Sequence, residues 1–245
     1  MGSAVGRSLP RPDARVKAVG QAVYAGDMSL PRTLQGAILR STQPHARILD
    51  IDTSRALALP GVRAVITGRD TLGIRFGVLA TADKLMDRRA LATDKVRYVG
   101  DEVAAVAAVD GDTALEALSL IRVEYEPLPP VYDPLEALRE GAPLVHADKA
   151  GNVSKRHVAR AGDLEAGFRE AHIIREDRFT THPEAHSPME PHTSLAHYDV
   201  TGKLTVWTST QSSFFVQMDL AKTLGLPEGR VRVIKPHVGG GFGGK

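Results

Sequence analysis

The 245-residue chain contains no cysteine. It therefore supplies no disulfide, no thiolate zinc site and no ligand for an iron–sulfur cluster, so any such cluster belongs to another polypeptide. A charge excess is missing as well: 31 basic residues are dispersed among 29 acidic ones, for a net charge of +2. No basic stripe emerges, which argues against nucleic acid or an anionic membrane as a partner. Long apolar runs are absent; VAAVAAV at 103–109 is far too short to span a bilayer. The N-terminus, MGSAVGRSLPRPDARVK, has no apolar stretch of a secretory signal, and Gly6 stands where a myristoylation signal requires Ser or Thr. A cytoplasmic location is the default expectation. Absent, finally, are GxSxG, a GxGxxG opening a helix, and a Ser-His-Asp arrangement with supporting context.

What remains is the composition of a soluble globular protein, 42% hydrophobic and 24% charged, with length for one large domain or two ordinary ones. Residues 1–33 read as an extended arm carrying Pro10, Pro12 and Pro31. Strands are predicted at 34–40, 46–52 and 62–68, with a short helix SRALAL that Pro60-Gly61 ends. DEVAAVAAVD leads into a helix, TALEALSLI, for which Asp112 is the expected N-cap and Leu115, Leu118 and Ile121 or Ala114 the buried face. The strand RVEYEPLPP follows. The first part is thus α+β. PLPPVYDP and REGAPLVHADKAGN, rich in Pro, Gly and Asp, read as a linker. Beyond it, a short helix DLEAGFREA is capped by Asp163, and strands are predicted at 172–182, 193–200 and 203–210, the last two joined by the turn 200–203. SSFFVQMDLAKTLGLP is an amphipathic helix capped by Ser212 or Ser213 and ended by Gly225; RVRVIKP is the next strand.

That strand delivers five glycines set around Phe242, from Gly239 to Gly244, and then Lys245. Glycines accept φ > 0, so successive backbone N–H groups in such a loop can converge on an anion or an oxygen ligand. The alternative of a flexible tail is weakened by the strand and by the lone bulky Phe242. Gly239-x-x-x-x-Gly244-Lys245 also matches the P-loop pattern, but no Ser or Thr and no helix follow it, so a nucleotide is the weaker reading. HPEAHSPMEPHTSLAH, 182–197, holds four histidines and two glutamates. Pro183, Pro188 and Pro191 rule out the continuous helix that would turn its four-residue spacing into a metal site, so polar contacts to neighbours are expected, with His186 and Glu190 as candidates to shape a pocket. Gln211 stands between a strand and a helix, where an amide can donate to an oxygen or lie solvated. Asp50/Asp52 and Glu124/Glu126 alternate along strands and are expected on a solvated sheet face.

Seven collinear blocks resemble the opening of a molybdenum hydroxylase large subunit: 14–28, 34–70, 95–108, 121–134, HSPMEPH (186–192), WTSTQSS (207–213) and VRVIKPHVGGGFGGK (231–245). This is the xanthine dehydrogenase and aldehyde oxidase family, which also holds carbon monoxide dehydrogenase and 4-hydroxybenzoyl-CoA reductase. The resemblance implies an N-terminal arm over 1–13, an α/β hammerhead domain over 14–130, a linker over 131–150, and the first part of a molybdopterin-binding domain over 151–245. It implies a molybdenum–molybdopterin cofactor, with the cytosine dinucleotide form as an open alternative, the metal being held by the pterin and not by protein ligands. Gln211 would approach the metal's oxo ligand, with Gly241 and the backbone amides of Phe242 and Gly243 around the same centre. Implied partners are an iron–sulfur small subunit with [2Fe-2S] clusters, an FAD-binding medium subunit, the remainder of the large subunit and a small-molecule substrate. Two glutamates that serve substrate and base roles in relatives have no counterpart within 1–245, so the isolated chain is expected to show no turnover. IRFGVLATADKLMD (74–87) is similar to the 4-hydroxybenzoyl-CoA reductase α subunit. Oxidation of xanthine, an aldehyde or an N-heterocycle is the close alternative, and a non-catalytic assembly role is a second one.

Overall fold

The computed structural model describes residues 5–77 and 86–245. Residues 1–4, and residues 78–85 within the stretch that is similar to the reductase, lie outside the described residues. The strands are β1 (Gln35–Arg40), β2 (Ala46–Asp52), β3 (Val62–Thr67), β4 (Lys95–Val96), β5 (Glu102–Ala108), β6 (Arg122–Pro127), β7 (Ser194–Tyr198), β8 (Leu204–Thr208) and β9 (Val231–Ile234). The helices are α1 (Ala14–Ala18), α2 (Ser54–Ala58), α3 (Gly111–Leu120), α4 (Pro134–Ala137), α5 (Leu164–Glu170) and α6 (Ser213–Leu224). Among the described residues no helix is long and apolar enough to cross a membrane.

Two antiparallel sheets make the first region, in the orders β1-β5-β3 and β4-β2-β6. The central strand β5 has both long edges paired, and its Ala104, Val106 and Ala108 are buried. Ala56, Ala114, Ala117 and Ile121 meet them from α2, from α3 and just beyond α3's end. Alanine on both sides of this contact lets helix and sheet approach closely, so the layer is thin and dense. Ala46, Ala92, Val96 and Val103 form the adjoining cluster beneath Ile48, Ile51, Val123 and Tyr125. Asp50, Asp52, Glu124 and Glu126 face solvent as expected, with Arg69 near Asp50 and Arg47 near Glu126. Two expectations for α3 are corrected. Its cap is Asp110, whose Oδ1 accepts from Thr113 N at 2.7 Å, because the helix starts at Gly111 and Asp112 falls in its first turn. Leu115 is exposed and not buried: Ala114, Ala117 and Ile121, at three- to four-residue spacing, make the inner face, with Leu118 partly buried beside them.

His45 is nearly buried where β2 begins. Its Nδ1 lies 2.8 Å from Pro129 O, a carbonyl that can only accept, so Nε2 is left to accept from Lys95 Nζ at 3.0 Å. This fixes the start of the linker to the first region. In the linker, Asp133 caps α4 through Leu135 N and Glu136 N, and Asn152 ties Val145 N, Ala137 O and Pro143 O together.

The second region has one sheet, β7-β8-β9. β7 and β8 form the expected hairpin, with Gly202 N donating to Asp199 O. β8 and β9 are parallel, joined through α6, so both strands end on the same edge. Gly225 ends α6 in the left-handed conformation at φ 66°. Ser212 occupies the N-cap position of α6 without a side-chain cap bond, whereas Asp163 caps α5 through Ala166 N. The strand expected over 172–182 does not form: that stretch has no pairing partner among the described residues, and Ile173, Ile174 and Phe179 are exposed. A strand is stabilised by its ladder partner, and β-branched composition alone cannot replace one. Part of the N-terminal arm packs on this second sheet. His237 N donates to Val23 O, Tyr24 bridges to His237, and Gly26 lies against Thr193.

Candidate functional site

The parallel pairing of β8 and β9 decides where the site lies. Gln211 follows the C-terminal end of β8, and the loop 239–245 follows the C-terminal end of β9. Adjacent parallel strands thus deliver both to one edge, the place where open α/β sheets commonly bind ligands. Thr208, Ser209 and Thr210 on the approach are buried. Their polar atoms are used locally: Thr208 Oγ1 meets Ser194 Oγ at 2.7 Å, Thr193 N donates to Ser209 Oγ, and Ser212 N donates to Thr210 Oγ1. The start of the Gln211 side chain is therefore fixed by a satisfied polar turn.

The Gln211 amide is held in one orientation. Its Oε1 accepts from Gly243 N at 3.0 Å and from Lys245 N at 3.4 Å, while Gln211 N donates to Lys245 O at 3.1 Å. With the oxygen committed to two backbone donors, Nε2 faces away as a donor. Gln211 and Gly243 are thus brought together, but the Gly243 amide is spent on Gln211 instead of facing a ligand. The N–H groups of Gly240, Gly241 and Phe242 make no hydrogen bond to any described residue. They form a run of three consecutive donors, Gly240 and Gly241 half-buried and Phe242 exposed.

The glycines serve the protein's own packing as much as any ligand. A Cβ at Gly241 would lie 2.9 Å from Gln211 Oε1, one at Gly244 3.0 Å from the His186 ring, and one at Gly239 2.6 Å from Glu190 Cβ. Gly240 has φ 99°, Phe242 48° and Gly243 85°, so the loop winds through left-handed conformations that favour glycine, and Phe242 carries that cost with its ring laid over Gly240.

Glu190 and Lys245 were separate features in the sequence and meet here. Lys245 Nζ lies 2.7 Å from Glu190 Oε2 and 2.7 Å from Glu190 O, with the lysine side chain fully buried. Glu190 Oε2 also accepts from Gly239 N at 2.7 Å. Burial pushes the Glu190 carboxyl up, but the bond from Lys245, the Gly239 amide and the lysine charge outweigh it and hold its pKa below the ordinary value. Its Oε1 is buried with no well-formed hydrogen bond, although the Ala25 amide nearby helps to lower the pKa. A buried lysine engaged by a carboxylate is not free for a phosphate, which removes the P-loop reading. His186 packs on Gly244 and shapes the loop by contact. Residues 182–193 form no helix, as their prolines dictate. No sequence signal marked the Glu190–Lys245 pair, because its members are 55 residues apart. Clefts of about 530 Å³ beside Arg88, Arg97 and His146, and about 360 Å³ along the linker, include none of these residues.

The comparisons with known proteins match two separate stretches of the chain. Residues 19–129 match the family described as aldehyde oxidase and xanthine dehydrogenase, a/b hammerhead domain. Residues 145–245 match the molybdopterin cofactor-binding domain. The chain is 38% identical over 242 residues to the nicotinate dehydrogenase large molybdopterin subunit of Eubacterium barkeri, covering 98% of this chain and 55% of that one. It is 38% identical to a probable xanthine dehydrogenase subunit of Bacillus subtilis (strain 168), covering 97% of this chain and 31% of the relative. Quinoline 2-oxidoreductase from Pseudomonas putida 86 superposes with a TM-score of 0.85 at 34% identity, over 98% of this chain and 31% of that one. The chain thus spans about half the length of the first relative and about a third of the other two.

Proposed function

Since the chain belongs to the xanthine dehydrogenase and aldehyde oxidase family of molybdopterin large subunits, we propose that it forms one wall of a molybdenum–molybdopterin site in a two-electron oxidoreductase. The observation that carries this reading is the fixed Gln211 amide beside the three unpartnered N–H groups of Gly240, Gly241 and Phe242. A set of four neutral donors suits the oxygen-rich face of such a cofactor, and the lysine beside them, Lys245, is already paired with Glu190. When bound, molybdenum exchanges two electrons with a carbon centre of the substrate. The protein's part is to aim Gln211 Nε2 and the loop amides, at fixed positions, toward oxygens where charge accumulates. Donors that are already oriented need no reorganisation during the reaction. The loop's glycines let it fold back onto Gln211, His186 and Glu190 without intervening side chains.

The domain division at 131–150 belongs to the same proposal, supported by the separate sheets on either side. Iron–sulfur clusters need thiolates that these cysteine-free residues do not supply, which supports an iron–sulfur small subunit as a partner; an FAD-binding medium subunit is proposed from the family resemblance alone. The cofactor is expected as molybdopterin, with the cytosine dinucleotide form as the alternative. For substrate we favour an N-heterocycle, because two of the relatives are named for nicotinate and quinoline. The hydroxybenzoyl-CoA alternative rests on the 74–87 stretch alone. The isolated chain is expected to show no turnover, and the complex is expected in the cytoplasm. The test is to express the chain with the rest of the large subunit and its partners, measure molybdenum and pterin, and follow dye reduction. Nicotinate, quinoline, xanthine, an aldehyde and hydroxybenzoyl-CoA are the substrates to compare. A complex that assembles but holds neither metal nor pterin overturns the reading.

A further inference from the structure

Glu190 engages both ends of the glycine loop. At the entry, its Oε2 accepts from Gly239 N at 2.7 Å and its N donates to Gly239 O at 3.2 Å. At the exit, its Oε2 and its backbone O both accept from Lys245 Nζ at 2.7 Å. Lys245 in turn bonds Gln211 through both backbone groups, donating N–H to Oε1 and accepting from Gln211 N. The three residues thus form a continuous chain from Glu190 through Lys245 to Gln211. Few other constraints act on the loop: Phe242 is 72% exposed, and no buried hydrophobic side chain lies between 239 and 245.

We propose that Glu190 is a positioning residue, which through Lys245 and Gly239 sets the direction of the Gln211 amide and of the Gly240–Phe242 donors. This rests on the reading of the loop as a cofactor wall and adds the group that sets its geometry. Removing the carboxylate charge leaves a fully buried ammonium uncompensated, and such a charge moves toward water instead of staying. Lys245 then leaves its place, its backbone bonds to Gln211 loosen, and the donors turn away from a bound oxygen. Misplacement of about 1 Å at such a site is enough to cost orders of magnitude in rate.

The test uses the assembled enzyme with Glu190→Gln, Lys245→Gln and the double substitution. Molybdenum content, the EPR spectrum of the partly reduced metal, kcat per bound molybdenum and KM are measured in each. For Glu190→Gln the expected result is a fall of about 10-fold or more in kcat per molybdenum, with KM changed by less than about 2-fold and an altered EPR spectrum. The double substitution, neutral and still hydrogen-bonding, is expected to recover most of that loss. A purely structural role would lower molybdenum content and leave kcat per molybdenum and the spectrum untouched, which overturns the proposal. So does loss of molybdenum in Glu190→Gln that the double substitution does not restore. If the unsubstituted complex holds no molybdenum, the cofactor reading itself fails and this inference with it. Failure of the inference alone is recognised by a loaded complex in which Glu190→Gln changes nothing.

Discussion

The two regions of the chain are ordered by different forces. Between 35 and 127, two sheets and two helices bury a contiguous set of small apolar side chains, from Ala46 and Ala56 through Val103, Ala104 and Ala108 to Ala114, Ala117 and Ile121. Between 163 and 245, the buried cluster is Leu204, Val206, Ala221 and Val231, while Ile173, Phe179, Met189 and Phe214 are exposed. The loop that carries the candidate site belongs to the second region. It is held by one buried ion pair, by hydrogen bonds to Gln211 and Glu190 and by close contact with polar side chains, not by a buried apolar core. The lesson is that the first region supplies stability and the second supplies directed polar groups. Directional bonds fix donor orientation better than apolar contacts do, at the cost of sensitivity to charge.

The comparison can be broken most severely in the first core. Ile121→Ala is expected to lower the stability of that region by about 3 kcal/mol. Urea unfolding followed by far-UV circular dichroism should show it. The emission of Trp207, the sole tryptophan, on β8, should hardly move. If both signals shifted together, the regions would be one cooperative unit and the contrast would be wrong. Acid should act next most strongly, and on the second region. Glu190 is held below its ordinary value of 4.5, so between the two pKa values the folded chain binds fewer protons than the unfolded one. The stability it adds is full above 4.5 and is lost as pH falls through the lower, folded value. The protection of the bonded Gly239 and Gly243 amides, taken relative to the intrinsic exchange rate at each pH, should therefore fall on acidification in the parent chain and show no such pH-linked change in Glu190→Gln; equal behaviour of the two would contradict the clasp.

Smaller effects sharpen the same contrast. Asp110→Ala removes the cap of α3, which packs on the first core, and should lower the thermal midpoint of that region. Asp163→Ala removes the equivalent cap of α5, which contributes no buried residue, and should leave the midpoint in place. Equal shifts from the two would mean that α5 is packed more firmly than its exposure indicates. Smallest of all, Phe214→Ser replaces a side chain that is 77% exposed and should not change stability at all. A measurable loss would show that the face of α6 is covered.

Much of this was legible before the fold was known. Alternation in ARILDID and VRAVIT marked β2 and β3 to within a residue, because their inward positions are apolar and their turns carry Pro, Gly or Asp. Asp163 and Gly225 marked helix ends by capping chemistry alone. Sheet order was not legible, since β5 pairs with strands far from it in sequence and nothing local encodes the partner. The segment 172–182 misled because its composition suits a strand while its ladder partner is missing. At the site, Gln211 and the glycine loop were each visible as unusual residues, and their meeting came from the parallel pairing of β8 with β9. Glu190 was visible as a pocket candidate. Its bond to Lys245 was hidden, because the lysine read as the end of a phosphate-binding pattern.

The central claim is that the Gly240–Phe242 amides and Gln211 Nε2 face the molybdenum cofactor. Its most direct measurement is hydrogen–deuterium exchange of the peptide covering 237–245 in the assembled enzyme, before and after the cofactor is stripped. The account predicts that bound cofactor slows exchange at Gly240, Gly241 and Phe242, with the already bonded Gly239 and Gly243 changing less. Unchanged exchange at those three amides, with protection appearing elsewhere in the chain, would contradict it.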